Sequence, residues 1–152
     1  MRYDRPITSR VVAAGQEPPH REAQGGAIML LRSTLVINGI STALCGLALL
    51  LAPAPLAELL GVSPPAILAG VGAGLVLYAA GLVWTARRQP IPGAAAWAAI
   101  VLDLGWVLGS VAVVELGILS SIGAGLVALV AALVLVFAVL QLVGVRHAAR
   151  PA

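Results

Sequence analysis

Residues 122–145 read IGAGLVALVAALVLVFAVLQLVGV, a run without one charge that stops at Arg146-His147. A helix rises about 1.5 Å per residue, so the run makes a rod of about 36 Å. The hydrocarbon core of a bilayer is about 30 Å thick and takes roughly 20 apolar residues of helix to cross. A buried core helix of a soluble protein has the same look, so the run decides nothing alone. Its neighbours decide.

Three more such runs precede it: 33–52 (STLVINGISTALCGLALLLA), 66–86 (AILAGVGAGLVLYAAGLVWTA) and 94–114 (AAAWAAIVLDLGWVLGSVAVV). Hydrophobic residues are 61% of the 152-residue chain and charged ones 10%. An ordinary soluble domain has about 25% charged residues, so polar surface is too scarce to wrap four such helices in water. The expected fold is all-α, a four-transmembrane-helix bundle over 29–147. The tail 148–152 follows it, and the polar stretch 1–28, without apolar periodicity, reads as a disordered cytoplasmic tail.

Met29 is also a candidate start. Gln24-Gly25-Gly26 can be encoded with a ribosome-binding AAGGAGG a few nucleotides upstream of it. From Met29 the chain looks like a secretory signal with a small-residue site at Ala52-Pro53-Ala54. A core nearer 20 than 12 residues, Pro55 and three further spans favour an uncleaved helix. Ser63-Pro64-Pro65 is a start signal for the second span, a capping hydroxyl followed by first-turn prolines. Between the first two spans, Leu56, Leu59 and Leu60 share a helical face that leaves out Glu58, so a short interfacial helix is expected.

Orientation follows from arginine, which supplies all nine basic residues. Five precede the first span, Arg87 and Arg88 lie between the second and third, and Arg146 and Arg150 follow the fourth. The other two loops have none. The positive-inside rule therefore places both termini and the central turn in the cytoplasm, with Trp84 and Trp97 in the interfacial belt there. Scattered arginines with no stripe or interleaved aromatics exclude a nucleic-acid surface. Cys45 is alone, and His20 and His147 stand at opposite ends of the chain. No disulfide, redox pair, metal site or cofactor is expected.

Polar residues gather in spans one and three. Asn38, Ser41, Thr42 and Cys45 fall at i, i+3, i+4 and i+7; Asp103, Trp106 and Ser110 fall at i, i+3 and i+7. Each set shares one helix face. Counted from the arginine side, Asp103 lies about 15 Å deep, Ser41 and Thr42 about 14 Å, Tyr78 about 13 Å and Asn38 about 9 Å. These groups, with Ser110, form the candidate intramembrane cluster. Ser41 and Thr42 could instead bond the carbonyls four residues back.

Asp103 has no such local outlet. An aspartate at mid-helix costs about 2.5–3.5 kcal/mol, and each Leu, Ile or Val returns about 0.3–0.6. The nine such aliphatics of 100–114 return roughly 3–5 kcal/mol. The third span is therefore the least self-sufficient, and its carboxyl needs a neutral form or nearby donors. Gly70-x-x-x-Gly74, Gly105-x-x-x-Gly109 and Ser121-x-x-x-Gly125 match small-residue packing patterns, expected to serve contacts within the monomer. With one carboxylate in four spans and no HExxH, GxSxG or phosphate loop, no enzyme is expected.

Asn38-x-x-Ser41, Cys45-Gly46-Leu47, Leu60-Gly61, Tyr78-Ala79-Ala80 and Asp103-x-x-Trp106-Val107-x-x-Ser110 resemble a group of uncharacterised small bacterial four-helix integral membrane proteins. The resemblance covers roughly 30–146. It implies an inner-membrane bundle and no activity. The expected partner is the lipid bilayer, together with a second copy or another membrane protein. Three roles follow: a non-enzymatic membrane protein, a small-solute or proton-coupled transporter using Asp103, or an accessory subunit of a larger complex.

Overall fold

The computed structural model describes residues 19–148, with side chains from residue 24 onward. It is all-helical: α1 (Pro19–Leu51), α2 (Pro53–Leu60), α3 (Ala66–Arg87), α4 (Gly93–Glu115) and α5 (Ser121–Ala148). Four stretches are long and apolar enough to cross a membrane: Gln24–Leu51, Ala66–Arg87, Gly93–Glu115 and Ser121–Ala148. The protein is a small multi-pass membrane protein. Most large aliphatics on these helices are exposed, as lipid-facing residues must be.

α1 starts earlier than its apolar run. Residues 19–28, expected to be a disordered tail, are helical, and 1–18 lie outside the described residues. Packing explains the extension. Ala27 and Leu31 are buried, Gln24 Nε2 donates to Ala148 O at 3.4 Å, and Leu31 sits against Gly144 with no room for a methyl group between them. These contacts need α5, so α1's own periodicity gives no sign of them.

α2 forms where expected, but its buried residue is Ala57, and Leu59 is exposed. Its carbonyl end faces the start of α5. Ser120 N–H donates to Leu60 O at 2.9 Å and Ser120 Oγ–H to Leu59 O at 2.6 Å, while Ser120 Oγ accepts from Gly123 N–H at 2.9 Å. One serine thus serves two helix ends, which otherwise leave backbone groups unpaired. Gly61 takes a φ of 77° to end α2, a conformation glycine adopts without strain. The expected Ser63 cap of α3 does not form. Pro65 holds the cap position without a side-chain bond, and Ile67 N–H donates to Pro64 O.

Around the bundle the helices run α3, α1, α5, α4, with close contact along each of those three pairs. α1 crosses α3 backbone to backbone. A Cβ added at Gly46 would come within 2.8 Å of Gly72 O, and one at Gly72 within 2.7 Å of Gly46 O. α3 and α4 are consecutive in sequence, yet their backbones rarely come close, and they meet through side chains such as Leu82, Ala86 and Tyr78. Leu31, Leu35, Leu82, Ala86, Ala96, Ala99, Ile100 and Val145 form a core at the arginine-bearing end. Asp103 lies just inside it.

Candidate functional site: a buried carboxylate on α4

Three side chains meet at Asp103 on α4, one from each of the other spanning helices. Asn38 Nδ2 on α1 donates to Asp103 Oδ2 at 2.7 Å, and Gln141 Nε2 on α5 donates to the same oxygen at 2.8 Å. Tyr78 Oη on α3 lies 2.8 Å from Asp103 Oδ1 and 3.0 Å from Ala99 O. Asp103 is 2% exposed, and Asn38 and Gln141 are fully buried. Buried polar groups must find partners within the protein, and this carboxyl finds three.

Asn38 is itself oriented from one turn on, where Thr42 Oγ1 donates to Asn38 Oδ1 at 3.2 Å. Thr42 therefore belongs to the cluster's outer edge. Ser41 does not: it bonds Ile37 O at 2.9 Å and is not buried, the local outlet open to a helical serine. Ser110 is buried on the Asp103 face of α4, yet two turns separate them and no hydrogen bond joins it to the cluster. The structure thus unites Asp103, Asn38, Tyr78 and Thr42 and leaves out Ser41 and Ser110.

Gln141 is the functional-site residue that helix depth alone passes over. Counted from Arg146 it lies only about 7 Å deep, against about 15 Å for Asp103. Two things close that gap: the extension of α5 to Ala148 and the length of a glutamine side chain. Its one sequence signal was being the single amide in an otherwise apolar run. Gln141 Oε1 is buried without a hydrogen-bond partner.

The Tyr78 hydroxyl has one hydrogen and two oxygens within reach. It can donate to Asp103 Oδ1, or it can donate to Ala99 O while accepting from a protonated Asp103. No group of three or more His, Cys, Asp or Glu residues that could hold a metal occurs among the described residues. Beside Tyr78, a cleft of about 250 Å³ separates α3 from α4, lined by Trp84, Ala95, Ala98 and Leu102 among others.

These features define an α-helical bundle of four membrane-spanning segments with a buried carboxylate bonded from three neighbouring helices. No protein-family profile, curated protein or solved structure matches the chain.

Proposed function

We propose that this chain is a non-enzymatic protein of a bacterial inner membrane that works by association, as an accessory subunit of a larger membrane assembly. One observation carries the reading: Asp103 is met by donors from α1, α3 and α5. A carboxyl so surrounded fixes the positions of four helices, each contact contributing about 0.6–1.7 kcal/mol in a membrane. The outer faces are then left to act. Gly70, Gly74, Gly105, Gly109 and Gly125 have nothing within 4 Å of an added methyl. This corrects the expectation that these small-residue patterns serve packing inside the monomer. The bundle packs instead through Gly39, Gly46, Gly72, Gly123 and Gly144.

A second reading, proton-coupled transport, has the Tyr78 hydroxyl in its favour: with its hydrogen turned to Ala99 O, its oxygen can accept from a protonated Asp103. Mild extraction of a tagged chain from its native membrane, followed by mass spectrometry, separates the two. A stoichiometric protein partner supports the subunit. Recovery alone, with an Asp103-dependent proton flux in liposomes, overturns it. Orientation is tested in a Cys45→Ala background. A cysteine at Glu58 should react with an impermeant reagent added outside cells, and one at Gln89 should not.

A further inference from the structure

The α3–α4 cleft adjoins an arginine through Trp84. Trp84, 53% exposed, lines the cleft, and the Arg88 guanidinium lies over its ring, 4.2 Å from the centroid. Arg32 reaches across from α1, with Nη2 donating to Arg88 O at 3.3 Å. Its Nε is buried and has no hydrogen-bond partner, an unmet donor that favours a nearby acceptor. Arg87 is exposed beside them. Among the side chains described, no carboxylate lies at this end: Glu58 and Glu115 are at the opposite end and Asp103 is enclosed in the bundle. Below the arginines the cleft wall is apolar, made by Leu82, Ala95, Ala98 and Leu102, and it opens outward at exposed Leu102.

From this arrangement we infer a binding site for one acidic phospholipid, its headgroup phosphate between Arg32 and Arg88 and one acyl chain in the α3–α4 cleft. The chemistry is complementary at both ends. Guanidinium groups pair with phosphate oxygens through several donors in a planar fork, and an acyl chain suits the apolar cleft between the two helices. Tyr78 closes the inner end, its hydroxyl held by Asp103 and Ala99. A bound chain therefore meets only the apolar flank of that ring. A lipid seated here fills the seam that the short Arg88–Pro92 connection leaves open.

The full-length protein in a mild detergent, titrated with phosphatidylglycerol or phosphatidylcholine and read by native mass spectrometry, tests the site. One phosphatidylglycerol should be retained in preference to phosphatidylcholine. Each arginine near an anionic headgroup contributes about 1 kcal/mol, or roughly fivefold in affinity. Arg88→Gln should therefore weaken retention about fivefold, while Arg88→Lys should keep most of it. Ala98→Phe, which fills the cleft, should remove the retained lipid with the arginines intact. Equal retention of both lipids overturns the site. So does phosphatidylglycerol binding that neither Arg88→Gln nor Ala98→Phe weakens, or a dimer whose interface covers the cleft. Arg88 is exposed and outside the core, so Arg88→Gln decides the matter even where Ala98→Phe fails to fold.

Discussion

α1 and α3 are separated in sequence by α2 and its flanking prolines, yet they are in backbone contact at Gly46 and Gly72. α3 and α4 are joined by only five residues, 88–92, yet a cleft divides them. Chain connectivity thus fails to order the contacts. Lipid tails are as apolar as leucine, so burial of aliphatics gives no preference for one neighbour over another. Close approach is decided by glycines that let backbones touch and by polar groups that need partners. α1 and α3 have the former. α4 is attached chiefly to α5; it reaches α1 and α3 through the apolar core at Ala96, Ala99 and Ile100 and through the polar contacts of Asp103.

The largest expected effect breaks the tight pair. Gly72→Leu places a side chain where Gly46 O already lies 2.7 Å from a single added carbon. Both positions are helix backbone, so neither side can yield as a flexible side chain would. Overpacking of this kind costs about 1–3 kcal/mol or more. Gly72→Leu and Gly46→Leu should each lower the detergent unfolding midpoint sharply. Their combination should be less than additive, because either one alone already separates the helices. Full additivity would mean that the two glycines do not share one contact.

Next in size is the carboxyl that ties α4 to the far side. Asp103→Leu removes three hydrogen bonds, a loss of about 2–5 kcal/mol at membrane values. It also removes about 2.5–3.5 kcal/mol of insertion cost. The two act on different steps: membrane insertion should improve while resistance to unfolding by SDS falls. Asp103→Asn should stay within about 1 kcal/mol of the parent. Its oxygen accepts from Asn38 and Gln141, and its amide donates to Tyr78 Oη, whose hydrogen turns to Ala99 O. Tyr78→Phe should lie between the two. An Asp103→Leu protein as resistant to SDS as the parent would show that the node does not hold the bundle.

The same contrast explains what was legible in the sequence. Four spans follow from run length, because a bilayer imposes a fixed thickness on any helix that crosses it. Asp103 stands out because nothing local can satisfy it, Tyr78 because depth counting brings it to that level, and Asn38 because it shares one polar helix face with Ser41 and Thr42. Gln141 escapes that count because α5 runs on to Ala148 and a long side chain spans a turn. The packing glycines escape as well. A small-xxx-small pattern says that close approach is possible on some face, without saying which face has a partner. Gly46 and Gly72 belong to none of the three patterns in the sequence, and the three patterns contribute no tight glycine contact to the bundle. The early start of α1 is hidden for a related reason, since Gln24 and Leu31 are anchored by α5 more than a hundred residues on.

The smallest effect is the sharpest control on this comparison. Gly74→Ala on α3 and Gly105→Ala on α4 add a methyl that meets nothing within 4 Å. Alanine is favoured over glycine inside a helix by about 1 kcal/mol, so both variants should unfold at the parent midpoint or slightly above it. Gly46→Ala adds the same single carbon against a backbone oxygen and should unfold below it. The chemical change is identical in all three proteins, so the sign of the difference reports only what faces each glycine. Purified protein measured side by side in one detergent gives that sign. Equal destabilisation of all three would show that the outer faces of α3 and α4 are packed. Should only co-purification of a partner suffer in Gly74→Ala or Gly105→Ala, with the isolated bundle unchanged, those faces are where the partner sits.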